Sequence, residues 1–322
     1  MSNGLKMQQL NVPKPLIVLV GPTAVGKTET SIQLAKKLNA EIISADSRYF
    51  YRGMDIGTAK PSKEEMAGVV HHLVDIAEPD DTWSLSLFQE SAVKLINQLH
   101  LEKKIPLLVG GTGQYVKSVM EAWQMPEIAP NDQLRAYFEQ MAEKHGKETI
   151  YEMLKKNDPE AAEQIDYRNL RRSIRALEVV YLTGKKFSDQ RRFSASPYSR
   201  KIIGLKRDRK SLYERIDQRI ELMINGGLED EVRRLMSKGY NRALASMSGI
   251  GYKEMYAYIE GEISLEEAIR LIKRKTRIFV RRQANWFSEN DPTIQWFDAE
   301  TLKIEDLVNY IYRDEGWLLP NK

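Results

Sequence analysis

Eight consecutive residues near the start of the chain carry its most specific chemistry: Gly21, Pro22, Thr23, Ala24, Val25, Gly26, Lys27 and Thr28. They complete the Gly-x-x-x-x-Gly-Lys-Thr pattern of a phosphate-binding loop. Gly21 and Gly26 let the backbone turn tightly and aim its N–H groups inward. Those donors, with the N-terminus of the helix that follows, make a nest for phosphate oxygens. Lys27 adds a mobile positive charge, and the Thr28 hydroxyl suits a Mg²⁺ ion that bridges phosphates. The loop alone indicates a bound polyphosphate, without saying which one or that ATP is consumed.

A second reactive group is Asp46, which closes a short apolar run. A carboxylate at the end of a parallel strand can face the phosphate loop of a neighbouring strand and serve as a general base. The plainer role for Asp46 is to cap the next turn. A P-loop ATPase carries a Mg²⁺-holding acid at the end of a later strand; here residues 105–109 run into Gly110, Gly111, Thr112 and Gly113 instead. That weakens a motor or GTPase reading. Arg270, Lys273, Arg274, Arg277 and Arg281 share one helical face by their spacing. Such a stripe is either a solvated face or a grip for phosphates.

These groups need a scaffold. Residues 16–20 are an apolar run before the loop, and Ile32, Leu34, Ala35 and Leu38 recur at helical spacing after it. The order is strand, loop, helix, strand, the context the motif requires. A short strand is expected near residues 71–76. A helix capped by Ser84 follows to about residue 103, burying Leu87, Val93, Ile96 and Leu99. The strand at 105–109 ends in a second glycine-rich turn, which could open on the same sheet edge as the first. Alternating strands and helices predict right-handed crossovers and an α/β, doubly wound parallel sheet.

Residues 1–15 read as an arm and 125–130 as a linker. Helical patterns then dominate at 132–145, 147–155 and 169–182, with Pro159, Gly184 and Pro197 as breaks. A strand at 201–206 returns to the sheet, and helices follow at 211–225, 228–238 and 264–287. The expected division is a P-loop α/β core of residues 1–121 and 201–322, interrupted by a helical insertion at 122–200. Basic side chains outnumber acidic ones about two to one across residues 151–215, although the whole chain is only +4. Local charge of this kind suits an anionic partner.

Composition narrows the rest. The chain has 322 residues, 42% hydrophobic and 29% charged, enough for a packed core. It contains no cysteine, which excludes disulfides, thiolate catalysis and Cys-ligated zinc. Its histidines form no metal-ligand pattern. No apolar run approaches the ~20 residues that span a bilayer, and no signal-peptide core is present. A cytoplasmic monomer that does not associate with membranes is expected. Three activities fit these residues: a small-molecule kinase, an enzyme transferring the carbon group of a diphosphate ester, and a nucleotide-dependent RNA-binding module. The residue types alone do not rank the first two.

Several further blocks accompany the loop: Ser44 to Ser47, Tyr51 to Pro61, His71 to Leu73, Leu108 to Gly113, Arg175 to Val179, Gly249 to Glu254, and Arg281 to Trp286. Together, in this order over nearly the whole chain, they resemble the tRNA dimethylallyltransferases, also called tRNA isopentenyltransferases. The Tyr51 to Pro61 block is the most specific of them. The resemblance implies a P-loop kinase-like core whose helical insertion helps hold a tRNA anticodon stem-loop. It implies transfer of a dimethylallyl group from dimethylallyl diphosphate to N6 of the adenosine 3′ of the anticodon, in tRNAs reading codons that begin with U. Mg²⁺ is the implied cofactor, and ATP is not the donor. The runner-up is a related isopentenyltransferase acting on free adenine nucleotides.

Residue roles follow from the same resemblance. Asp46 is the implied general base. Thr23, Lys27 and Thr112 line the reacting region, and Thr28 holds Mg²⁺. The loop from Gly21 to Thr28, with Arg215 and Arg219 one helical turn apart, binds the donor diphosphate. Asp46, Ser47, Arg48, Tyr49, Thr112, Gly251, Tyr252 and Lys253 contact tRNA from the core, and Arg135, Arg171, Arg172 and Arg175 from the insertion. One position departs from the pattern: Tyr49 stands where the family usually carries a glutamine that helps recognise RNA bases. A phenol lacks the paired donor and acceptor of an amide.

Overall fold

The computed structural model describes residues 14–125, 128–191 and 196–313. Nearly all of the expected N-terminal arm, and Pro126 and Glu127 of the expected linker, lie outside that range. The chain begins with β1 (Pro15–Val20), α1 (Lys27–Leu38), β2 (Ala40–Ser44), the short α2 (Lys63–Met66) and β3 (His71–His72). Then come α3 (Leu85–Leu101), β4 (Ile105–Gly110) and α4 (Gly113–Met120). A run of helices follows: α5 (Asp132–His145), α6 (Lys147–Asn157), α7 (Pro159–Gln164) and α8 (Leu170–Thr183). The chain continues through β5 (Ser199–Lys206), α9 (Arg209–Asn225), α10 (Leu228–Ser237), α11 (Tyr252–Ile259), α12 (Leu265–Ala284), β6 (Ile294–Asp298) and α13 (Ile304–Tyr312).

Among the described residues, six strands form one parallel sheet in the order β3-β2-β4-β1-β5-β6. Every residue of β1 is buried, as a central strand covered on both faces requires. The strand order corrects one expectation. β2 is not the neighbour of β1, because β4 lies between them. Asp46 therefore approaches the phosphate loop across the end of β4. Gly110 makes this possible: a Cβ there would stand 2.5 Å from the carbonyl oxygen of Ala45.

The expected helices form, with local differences. Ser84 caps α3 by accepting the Leu87 N–H at 3.2 Å, but Leu87 itself is 43% exposed. The buried stripe is Phe88, Ala92, Ile96 and Leu99, a quarter-turn round the helix. Pro159 does not break the insertion; it begins α7, with Asp158 accepting the Ala161 N–H. Proline fits a first helical turn because the N–H it lacks would have no partner there. α11, β6 and α13 have no counterpart among the expected elements. β6 is a sheet edge with a single fully buried residue, Ile294, so its sequence carries little strand periodicity.

The chain divides into two compact units: residues up to Met120 together with those from Pro197 onward, and Glu121–Ser196. The insertion's own core includes Phe138, Ile150, Leu154, Ile174 and Leu177. Among the described residues no helix is long and apolar enough to cross a membrane.

Candidate active site

The donor half is built on the turn between β1 and α1. Gly26 adopts φ 118° and caps α1 without a side-chain hydrogen bond. Its left-handed conformation is one that L side chains rarely adopt, which explains glycine at this position. The first amides of a helix have no intrahelical acceptors, so the start of α1 presents them to the loop. Val25 packs into the core and offers the site only its backbone. The Lys27 ammonium donates to the carbonyls of Gly21 (2.9 Å) and Pro22 (2.8 Å). Arg215 reaches the loop from α9, donating to the Ala24 carbonyl at 3.0 Å. Arg219, one turn further, donates to the Thr58 carbonyl at 3.0 Å. The structure thus gathers Lys27, Thr28, Arg215 and Arg219 about one loop.

Desolvation lowers the pKa of Lys27 from 10.5 to about 8; the Asp46 carboxylate opposes the shift and Arg219 adds to it. Lys27 is therefore charged below about pH 8 and loses its proton above it, well before a free lysine would. A bound anion favours the charged form. Affinity for inorganic diphosphate should accordingly be flat below about pH 8 and weaken by up to about tenfold per pH unit above it. Calorimetric titration over that range checks this, and an affinity unchanged at about pH 9.5 would count against Lys27 as the anion's main cation.

The acceptor half lies at the ends of β2 and β4. Asp46 accepts the Arg48 N–H at 3.0 Å through its own side chain, and its carbonyl accepts the Tyr49 N–H at 3.3 Å. The turn is anchored by buried Phe50, whose ring lies 5.9 Å from that of Tyr115 on α4. Tyr115 in turn donates its N–H to the Thr112 carbonyl, so one aromatic contact ties together the Asp46 and Thr112 turns. Gln283, buried near the end of α12, bridges the two glycine-rich turns. Its side-chain carbonyl accepts the Thr23 N–H at 2.9 Å, and its amide donates to the Gly111 carbonyl at 3.1 Å. Trp286 packs where Gly113 leaves room. The expectation that both turns open on the same sheet edge is met, and Gln283 is the clamp between them. Among the expected roles Gln283 and Trp286 figure only as part of the Arg281 to Trp286 block.

The Tyr51 to Pro61 block owes its specificity to a buried carboxylate elsewhere in the chain. Glu231, 2% exposed on α10, accepts the N–H groups of Asp55 (2.9 Å), Ile56 (2.8 Å) and Gly57 (3.0 Å). The Tyr252 hydroxyl donates to the same carboxylate at 2.6 Å. Lys60 closes the loop from below, donating to the Tyr51 carbonyl and to Asp55 and Asp75. These bonds fix the Thr58 carbonyl that holds Arg219. Sequence reasoning missed Glu231.

Several residues expected to touch tRNA have other occupations. Tyr252 is 1% exposed and spends its hydroxyl on Glu231, and Gly251 is buried with its N–H bonded to Glu254. Neither is available to RNA; Lys253, beside them, is exposed. Arg48 donates to the carbonyls of Ala245 (2.7 Å) and Ser246 (3.0 Å), bracing the Asp46 turn. In the insertion, Arg135 and Arg175 both pair with fully buried Glu178, and Arg175 also donates to the Ile128 carbonyl. Removing either arginine would leave a buried carboxylate short of a counter-charge, so both help hold the insertion together. Arg171 is exposed, and Arg172 is half-buried with no acidic partner among the described residues. Ser47 is half-buried beside Asp46.

The basic stripe of α12 faces α9 across a groove of about 510 Å³, lined by Arg209, Tyr213, Arg274, Arg277 and Arg281 among others. Arg270, Lys273 and Arg277 are paired with Glu267, Glu221 and Asp217. Exposed Arg274 and Arg281 have no ion pair among the described residues.

A parallel sheet with a phosphate loop after its first strand, a carboxylate within electrostatic reach of the loop lysine, and an inserted helical unit define a P-loop-type transferase. Residues 49–290 match the model of the IPP transferase family, and residues 14–77 match that of isopentenyl transferases. A tRNA dimethylallyltransferase of a Roseiflexus species is 50% identical over 273 residues, covering 85% of this chain and 90% of the relative. That of Halalkalibacterium halodurans is 45% identical over 303 residues, covering 92% and 96%. The crystal structure of a full-length tRNA isopentenylpyrophosphate transferase from Bacillus halodurans superposes with a TM-score of 0.70 at 44% identity, covering 92% of this chain and 95% of the other. A eukaryotic dimethylallyltransferase acting on tRNA gives a TM-score of 0.80 at 25% identity, covering 96% and 81%. The chain belongs to the IPP transferase family and is a prenyltransferase.

Proposed function

We propose that the chain transfers a dimethylallyl group from dimethylallyl diphosphate to N6 of the adenosine immediately 3′ of a tRNA anticodon, in tRNAs reading codons that begin with U. The observation that carries this reading is the convergence of Lys27, Thr28 and Arg219 on one loop, with Asp46 close enough to raise the pKa of Lys27. In the proposed reaction the donor C1–O bond breaks and diphosphate leaves. The positive charge on carbon spreads by allylic resonance. The N6 lone pair forms the new C–N bond, and the N6 proton passes to the Asp46 carboxylate. The loop amides, Lys27 and Arg219 stabilise the charge that develops on the leaving group. Thr23 and Thr112 flank the reacting centre on the two turns that Gln283 ties together. An extruded adenine costs a few kcal/mol in lost stacking, offset by phosphate contacts to basic residues.

The residues fit a Mg²⁺ ion. The Thr28 hydroxyl is exposed at the start of α1, and Asp46 is the nearby carboxylate. Among the described residues no cluster of three or more acidic or histidine side chains forms an all-protein cage. Mg²⁺ is suited to such a sparse set when phosphates supply further oxygens. When bound it would neutralise charge on the diphosphate.

Labelled dimethylallyl diphosphate supplied with unmodified tRNA or with AMP tests the reading. Label on tRNA is expected. Label on AMP would point to a free-nucleotide isopentenyltransferase, and label on neither would mean that this prenyltransferase uses another acceptor. The α9–α12 groove is proposed as a further contact for the RNA backbone. Replacing both Arg274 and Arg281 by alanine should lessen the steepness of log K against log salt for tRNA by about two, and an unchanged slope would remove the groove from the RNA path.

A further inference from the structure

Tyr49 follows Asp46 by three residues, in a turn that would suit a side chain facing an acceptor. Its phenol runs instead toward the Tyr51 to Pro61 block. The hydroxyl donates its one hydrogen to the Ala59 carbonyl at 2.9 Å. That leaves its oxygen free to accept. The Arg219 guanidinium and the Thr28 side chain lie near it. Arg219 Nη2 donates to the Thr58 carbonyl at 3.0 Å. Adjacent carbonyls, those of Thr58 and Ala59, thus seat Arg219 and Tyr49 side by side, so the Tyr49 bond to Ala59 steadies the stretch of backbone that holds Arg219. Burial pushes the phenol's pKa up to about 12, so it stays a neutral donor to Ala59 throughout the working range of pH. Arg219 is close enough to Lys27 to depress its pKa, which places the guanidinium beside the phosphate loop.

We infer that Tyr49 is a positioning residue for the donor diphosphate, acting through Arg219, rather than a reader of RNA bases. The inference rests on the proposed prenyl transfer for its kinetic test, but not for its binding test. Four full-length proteins are compared: wild type, Tyr49→Phe, Arg219→Ala and the double variant. Loss of the bond to Ala59 should loosen the neighbouring Thr58 carbonyl that holds Arg219 and raise the KM for dimethylallyl diphosphate by about three- to tenfold in Tyr49→Phe. The KM for tRNA and kcat should stay within about twofold, because the aromatic ring and its packing are kept. If Tyr49 works through Arg219, the double variant should be no worse than Arg219→Ala alone. A tRNA KM that moves while the donor KM does not would overturn the inference. So would donor effects that multiply in the double variant. Binding of inorganic diphosphate to the same four proteins should follow the donor KM. If wild type binds diphosphate and Tyr49→Phe weakens it, the inference holds even where no prenyl transfer is detected, and that second failure would fall on the proposed activity alone.

Discussion

Asp46→Ala is expected to lower kcat by about 10²- to 10⁴-fold, the usual contribution of a positioned general base. The adenine N6 lone pair is delocalised into the ring, and attack on the allylic carbon is favoured when the N–H proton is removed as the bond forms. No other carboxylate of the described site stands at the end of β2. The variant should keep its affinity for dimethylallyl diphosphate when measured near neutral pH. There Lys27 of the wild type is charged, because its pKa lies at about 8 with Asp46 present. Asp46 does, however, help hold that proton, so the alanine variant should begin to lose donor affinity at a lower pH than wild type. Single-turnover rates on tRNA, alongside donor titrations at two pH values, separate the two effects. Near-normal turnover would remove Asp46 from the proton path.

The second large effect is expected at Glu231, which is remote from the reacting atoms. Its two oxygens accept four hydrogen bonds, three of them from consecutive backbone N–H groups. Glu231→Ala leaves those donors and the Tyr252 hydroxyl without a partner. The cost should reach about 3 kcal/mol or more in urea unfolding. Glu231→Gln should recover only part of it, since an amide offers one acceptor oxygen where the carboxylate offers two. Both variants should also raise the donor KM, because the Thr58 carbonyl that holds Arg219 belongs to the stapled loop. Wild-type stability for Glu231→Gln would mean that the loop is held mainly by Lys60.

These two residues differ in how visible they were. Asp46 follows an apolar run and precedes a polar turn, so its place at a strand end could be read locally. Lys27 and Thr28 were equally local, set by a motif of eight residues. Glu231 was not legible, because its three backbone partners lie 174 to 176 positions away and nothing around it marks a carboxylate as buried. Gln283 was obscured for the same reason: it sits 260 positions from Thr23, in a helix whose sequence advertises mainly its charges. The tyrosine at 252 and the arginines at 135 and 175 carry structural bonds that their sequence context does not show. Their residue types suit RNA, yet each is committed to a buried carboxylate. Strand order was likewise invisible. Periodicity identifies a strand but not its neighbour, and the placing of β4 between β1 and β2 depends on a glycine small enough to let Ala45 come close.

That strand order also bears on how the chain is made. β1 emerges first from the ribosome, and every residue in it is apolar or proline. Both of its partners come later, β4 at residues 105–110 and β5 only at residues 199–206, after the whole insertion has been synthesised. Until then the nascent chain carries an unsatisfied, sticky strand edge of the kind that invites aggregation. The insertion lengthens that interval. A folding helper that shields β1 during translation would therefore act on the strand that leads directly into the Gly21 to Thr28 loop.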